Sequence, residues 1–325
     1  MLSRVANSLF WLGRYTERAE NYARFIDVNF NLSLDLPPGL KEQWEPLVTT
    51  TGDREAYLKL YSDFSRENVI KFLAFDDKNP NCIYSCISIA RENARIIRDS
   101  ISKETWEVLN ELYYYVGSLK KSRVWKKEDP KDYFKQIKYK LQLLNGIAYD
   151  TTPRTQWWYF SKMGQFLERA DKTSRILDVK YHFLLPSVEE VGSPLDFLHW
   201  TALLKSVSGF NAYRKFYGQI KASSIVEYLV LNRYFPRSVL FCLIEVEKCL
   251  HEISESKTGF SNPAEKAIGN LRADLEYADI NDVFGLGLHE YLDNLQVRVD
   301  EISDAIFHQY FKIKPNYISQ SQSQE

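Results

Sequence analysis

Shifted against itself by 151 residues, the chain places Gly13, Glu17, Arg18, Ala19, Arg24, Asp27 and Val28 on Gly164, Glu168, Arg169, Ala170, Arg175, Asp178 and Val179. In the same register Tyr15 meets Phe166, Glu20 meets Asp171 and Ile26 meets Leu177. Seven identities in about nineteen positions exceed the one or so that composition supplies, which marks a repeated structural unit. A second match, at an offset of 156, sets Pro80, Cys82, Ile83, Cys86 and Ile87 against Pro236, Ser238, Val239, Cys242 and Leu243. Two matches in the same order and at nearly the same offset predict a duplicated unit with its boundary near Asp150. The first repeat then spans 1–150, the second 151–312, and the Ser-Gln-rich tail within 313–325 is expected to be disordered.

The unit reads as helical. With 13 Gly and 11 Pro in 325 residues, the chain has few of the turn formers a sheet protein of this size needs. A cap-forming residue precedes proline at Asp129-Pro130, Thr152-Pro153, Ser193-Pro194 and Asn262-Pro263, and proline suits the first helical position because its missing N–H would have no partner there. Glu265, three residues after Asn262, completes a capping-box pattern. These signals predict helices over 2–34, 54–75, 81–100, 103–117, 130–149, 153–184, 194–207, 211–232, 237–256, 263–278 and 282–311. Pro37-Pro38-Gly39 and Pro186 are expected to end helices, and residues 120–129 form a charged connector. The expected fold class is all-α, with two tandem related helical bundles packed into one elongated unit.

Bulk charge selects no polyanionic partner, since 42 basic side chains face 43 acidic ones. Neither nucleic acid nor a membrane is expected as partner, unless folding gathers Lys120, Lys121, Arg123, Lys126 and Lys127 into a patch. The most apolar run, Val239 to Val246, is short and interrupted by Glu245, so no membrane span is expected. The first twelve residues lack a leader pattern and there are four cysteines, Cys82, Cys86, Cys242 and Cys249. The expectation is a cytoplasmic protein with free, buried thiols. Aromatic residues reach 14%, which suits broad contacts between helices.

On a helix, Gly13, Glu17, Glu20 and Arg24 stack along one stripe, and Gly164, Glu168, Asp171 and Arg175 repeat it. Leu9, Leu12, Thr16, Ala19 and Ala23 form the adjoining apolar face, whereas Arg18 points to nearly the opposite side, with Trp11, Tyr15 and Tyr22. Two readings stay open. In one, the glycine admits a second helix and the carboxylates pair with arginines to fix packing; in the other, the four carboxylates line a pocket that binds a cationic group or performs acid–base chemistry. Arg91, Arg95 and Arg98 share a further face that could hold a carboxylate or phosphate, with Glu92 and Asp99 available to neutralise it. Arg237 and Ser238 open a helix and are candidate anion ligands, although capping alone would explain Ser238.

The sequence contains no P-loop, no GxGxxG, no HExxH and no paired ExxH pattern, so no cofactor or metal is expected. The five histidines (182, 199, 251, 289 and 308) are scattered, and no cysteine or serine has an evident catalytic base.

Residues 1–24 (MLSRVANSLFWLGRYTERAENYAR) and 166–175 (FLERADKTSR) resemble the alpha-E proteins, named for their helical nature and Glu-Arg motif. Segments 88–102, 106–110, 232–239 and 275–280 continue the resemblance, which covers essentially the whole chain. It places the naming motif on Glu17-Arg18 and Glu168-Arg169, while Gln165 stands where the first unit has Arg14 and the family often has arginine. The resemblance implies an all-α bacterial protein that accompanies a circularly permuted ATP-grasp protein, often with a transglutaminase-like protease nearby, in synthesis and processing of a peptide. The expected role is a non-catalytic component that holds ligase or peptide through a charged surface between the repeats. The alternatives are an enzyme acting on an amide or amino-acid group in a pocket of Glu17, Glu20, Arg24, Arg91, Glu168, Asp171 and Arg175, and a purely structural adaptor.

Overall fold

The computed structural model describes residues 2–35, 42–127, 129–183, 193–256 and 259–312. Pro37-Pro38-Gly39, Pro186 and the tail after 312 lie outside these residues. Among those described, all regular structure is helical. The order is α1 (Ser3–Asp35), α2 (Glu45–Thr51), α3 (Arg54–Leu58), α4 (Arg66–Ala74), α5 (Ile83–Ile96), α6 (Lys103–Lys121) and α7 (Lys131–Thr151), followed by α8 (Gln156–Phe183), α9 (Pro194–Ser206), α10 (Phe210–Tyr217), α11 (Ala222–Val230), α12 (Val239–Ser254), α13 (Pro263–Tyr277), α14 (Ile280–Gly285) and α15 (Leu288–Ile306). A π-helical turn, Phe307–Phe311, closes the described chain.

The two longest helices, α1 and α8, pack on each other at the centre. Helix α1 is covered by α5 and α7, and α8 by α12 and α15; α6 lies on α5 and α7, and α13 on α12 and α15. The buried apolar side chains form one connected core that runs from Ala6 to Phe311. Because neighbours surround α1 and α8, their polar residues are buried with their apolar ones, which is why neither helix has a clean solvent face. Burial of Phe30, Phe75, Phe134 and Trp125 against one another shows where much of the aromatic content is used.

Several expected helices are interrupted, each for a local reason. The run 54–75 divides into α3 and α4, where Tyr57 Oη donates to the Asp63 carbonyl at 2.6 Å and Asp63 accepts the Ser65 N–H at 2.8 Å. The run 211–232 divides the same way: Tyr213 Oη donates to the Gln219 carbonyl at 2.8 Å and Gly218 adopts φ +70°. Gly287, at φ +90°, separates α14 from α15, a conformation that costs little only for glycine. Ser193 and Asn262 cap α9 and α13 as expected, but α8 begins at Gln156, past Pro153. Segment 120–129 is more than a solvated connector, since Val124 and Trp125 are buried. Helix α2, which the sequence reading missed, ends at Gly52, at φ +80°. No helix among the described residues is long and apolar enough to cross a membrane.

Candidate functional site

The site begins with two glycines. A Cβ on Gly13 would overlap the Ser161 carbonyl oxygen and stand 3.0 Å from the Gln165 nitrogen, and one on Gly164 would overlap the Phe10 carbonyl oxygen. Helices α1 and α8 therefore touch backbone to backbone, which brings the Glu-Arg pair one turn further along each helix within reach of the other. Glu17 takes both arms of Arg169, Nε to Oε1 at 2.9 Å and Nη2 to Oε2 at 2.8 Å. Glu168 takes both arms of Arg18, Nε to Oε1 at 2.6 Å and Nη2 to Oε2 at 3.0 Å. Such two-pronged pairs fix orientation as well as attraction.

Further cations close around each carboxylate. Arg237, from the segment before α12, donates to Glu17 Oε1 and to Glu20 Oε1, both at 2.9 Å. Arg14 Nε reaches Glu168 Oε2 at 2.9 Å, and Lys172 Nζ stands 3.7 Å from Oε1. Asn21 and Gln165 also donate to Glu17, at 3.1 and 3.2 Å. Asp171 accepts from Lys172 at 2.9 Å and Arg175 at 2.7 Å, while Glu20 pairs with Arg24 and accepts from Asn145 at 3.3 Å. Glu17 and Glu168 are fully buried, and Glu20, Arg24 and Asp171 nearly so.

The electrostatics follow from this crowding. Burial alone would raise the Glu17 carboxyl, but Arg169 and Arg237 overcome it and hold the group well below the usual carboxylate range. Arg18, Lys172 and Arg14 do the same for Glu168 against its burial, and Lys172 and Arg175 for Asp171. The pocket reading required one of these carboxylates to be raised and a sizeable cavity beside it. The cavity next to them, between α1, α7 and α8, has a volume of about 50 Å³ and includes Gly13, Thr16, Asn145 and Gln165 in its wall. Asp300 on α15 does carry a raised carboxyl, through partial desolvation and the charge of Asp171, but it stands largely in solvent and outside the wall of that cavity.

The structure thus unites Glu17, Arg18, Glu20, Arg24, Glu168, Arg169, Asp171 and Arg175, and adds Arg237 to them. Arg18 does not lead away from the stripe; its guanidinium passes Tyr15 and bends to Glu168. Arg237 meets the protein's own carboxylates at the position where an external anion was expected, and Ser238 caps α12 by accepting the Phe241 N–H at 3.2 Å. Arg91, Glu92 and Arg95 stand apart. Ala90 and Ala94 of α5 turn inward, so Arg91 instead packs on Trp106 and Tyr113 and donates to Asn110 at 2.6 Å, while exposed Glu92 and Arg95 pair with each other. The sequence reading missed Arg14 and Lys172 as partners of Glu168. Lys172 lies at the i+4 spacing that signals a pair on one helix, whereas Arg14 comes from the other helix.

No cluster of three or more His, Cys, Asp or Glu able to hold a metal occurs among the described residues. All four cysteines are free and buried, and burial pushes the Cys242 and Cys249 thiols up to about 12. A water-soluble disulfide reagent should therefore find no reactive thiol in the native protein and four after unfolding; rapid labelling of folded protein would contradict the packing.

A family model named Alpha-E, described as a predicted alpha-helical domain with a conserved ER motif, matches residues 1–311. Uncharacterized proteins of Mycobacterium bovis and Mycobacterium tuberculosis are 22% identical over 335 residues, covering 93% of this chain and 36% of each relative. The chain therefore spans little more than a third of the length of these relatives. No solved structure matches.

Proposed function

The chain belongs to the Alpha-E family, and on that premise we propose that it is a two-repeat helical component of an ATP-grasp-dependent peptide or amide ligation system, without catalysis of its own. Its partner in this reading is a circularly permuted ATP-grasp protein, with a peptide substrate and a transglutaminase-like protease as further members. The observation that carries the non-catalytic part is the saturation of Glu17 and Glu168 by arginines of the opposite helix. Carboxylates held ionised and fully paired fix geometry and have no proton to exchange near neutral pH. The ligase partner rests on the family resemblance. In the mycobacterial relatives the matched unit is part of a much longer polypeptide, which favours a component that works alongside other domains.

Paired contacts support the division into repeats over 1–150 and 151–312. Arg175 packs on Gly52 and Arg24 bonds Ser208, which lies 156 positions after Gly52; both turn residues have positive φ. Asp27 pairs with Lys138 of α7 at 2.5 Å, and its counterpart Asp178 with His289 of α15 at 2.7 Å. The Tyr57–Asp63 and Tyr213–Gln219 bonds share the 156 offset.

The test is co-expression with an ATP-grasp ligase from the same genome, followed by affinity capture and an assay of ligase turnover with a peptide. Co-purification with a change in turnover is expected. A ligase that neither binds nor responds would overturn the reading.

A further inference from the structure

We propose that the cavity between α1, α7 and α8 binds the carboxylate group of an external ligand, with Lys162 as its cationic partner and Arg154 at the entrance. Of the side chains that line this cavity Lys162 alone is charged, and no Asp or Glu is among them. The rest of the polar lining is neutral, chiefly the hydroxyls of Ser100, Thr105, Thr152 and Ser161 and the amides of Asn145 and Gln165. A cation set among neutral polar groups, with no carboxylate in the same wall, is suited to an anion from outside.

The buried Glu-Arg network fixes this arrangement. Gln165 donates to Glu17 at 3.2 Å and to Asn145 at 3.1 Å, and Asn145 donates to Glu20 at 3.3 Å. Both amide nitrogens are thereby engaged, and the Gln165 carbonyl oxygen is left to accept from Lys162 Nζ at 2.8 Å. That is the one hydrogen bond Lys162 makes among the described residues, although an ammonium carries three N–H donors. Lys162 forms no ion pair among them either. Its ammonium lies 4.6 Å from the centre of the Trp158 ring, and Arg154 stacks on the same ring at 3.7 Å. Arg154 is exposed, gives one N–H to the Thr152 carbonyl at 3.0 Å, and likewise forms no ion pair among the described residues. Trp157 and Trp158, both in the wall, belong to the first turn of α8, whose positive dipole end favours an anion in the same place.

Size selects the ligand. The volume of about 50 Å³ is far below the ~300 Å³ of sites that enclose a whole ligand, yet it exceeds the ~10–15 Å³ that one water needs. A head group enters, and the rest of the ligand stays outside, where Trp157 and Tyr149 are 39% and 58% exposed. A carboxylate is flat and small enough to face Lys162 with one oxygen and a wall hydroxyl with the other. It comes either from a small free acid or from the carboxyl terminus of a peptide.

The charge of Lys162 supplies the readout. Burial, helped by Arg169 and Arg154, pushes this amine down to about 8 against the opposing charges of Glu17 and Cys249. These groups face it from α8, α1 and α12, and α7 contributes the neutral Asn145. Only the ammonium form attracts a carboxylate, so affinity is greatest below that value and falls as pH rises through it.

Isothermal titration calorimetry on the full chain tests this with acetate, acetyl-Gly-Gly, the C-terminal amide of acetyl-Gly-Gly, and inorganic phosphate, each up to about 50 mM in chloride-free buffer. At pH 7 the wild type is expected to bind at least one of the two carboxylates and not the amide. Binding should weaken about tenfold or more at about pH 9.5, a comparison that needs no variant. Lys162→Met should weaken it as much, while Lys162→Arg, which keeps the charge, should retain part of it; circular dichroism establishes that both fold. Tighter binding of acetyl-Gly-Gly assigns the site to a peptide terminus, and acetate bound as tightly or more so assigns it to a small free acid. The proposal is overturned by a wild type that binds neither carboxylate, by an amide that binds as well as the free acid, or by phosphate that binds more tightly than both. Affinity unchanged at the higher pH, or in a folded Lys162→Met protein, also overturns it.

Discussion

Replacing Gly13 with alanine should destabilise the protein by about 3 kcal/mol or more, at the upper end of the ~1–3 kcal/mol usual for adding volume to a packed interior. The position lies inside α1, where helical propensity alone would favour alanine by ~1 kcal/mol, so the expected sign is opposite to that of an ordinary helical glycine. The obstacle is the Ser161 carbonyl oxygen, a backbone atom of α8 that cannot rotate away. Gly164→Ala meets the Phe10 carbonyl in the same manner and should cost a similar amount. Either change pushes α1 and α8 apart, and the gap made for one methyl group accommodates part of the other. The double variant should therefore lose less than the sum of the singles, as neighbouring sites do. Gly146 supplies the control: nothing lies within 4 Å of its Cβ direction, so Gly146→Ala in α7 should be neutral or stabilising by up to ~1 kcal/mol. Urea titrations of the four variants measure all of this. A Gly13→Ala protein as stable as wild type would show that the helices do not meet at these glycines.

The offset of 151 in the sequence already placed the two glycines and the two Glu-Arg pairs in register. Its physical meaning required three dimensions, because repetition shows that Glu17 and Glu168 do the same thing without showing that each does it to the other helix. Local pairs such as Glu20 with Arg24 were readable from the four-residue spacing. Arg237, far along the chain from Glu17, gave no such signal. The interrupted helices had a different cause. Tyr57 and Tyr213 end their helices by side-chain bonds to later carbonyls, an effect that residue propensities do not register. Yet Ala56, Tyr57, Lys59 and Tyr61 do match Ala212, Tyr213, Lys215 and Tyr217 at the 156 offset, so extending the second match would have indicated a shared interruption. Arg91 was misplaced because its spacing described a face of α5 without saying that the face turns to α6.

Glu17→Ala should cost about 3–5 kcal/mol at neutral pH, the range for removing one partner of a buried ion pair, since it leaves Arg169 and Arg237 without the carboxylate that both address. Glu168→Ala should cost as much by exposing Arg14 and Arg18 to the same loss. Glu17→Gln, which keeps the shape and one acceptor, isolates the charge and gives the acid dependence a reference. Both glutamates have folded pKa values below their unfolded ones, so their contribution is complete above the ordinary carboxylate value of ~4.3 and disappears as pH falls through the folded pKa. The wild type should accordingly lose stability steeply below about pH 4, and the gap between wild type and Glu17→Gln should narrow as pH falls. Replacing Glu17 and Arg169 together with methionine should leave Arg237 its bond to Glu20 and cost less than Glu17→Ala alone, because a buried pair exchanged for apolar packing is often nearly neutral. Denaturant titrations from pH 7 to pH 3 check each step. A Glu17→Gln protein that matches wild type at pH 7, with the same acid profile, would show that the Glu-Arg exchange between the helices does not hold them together.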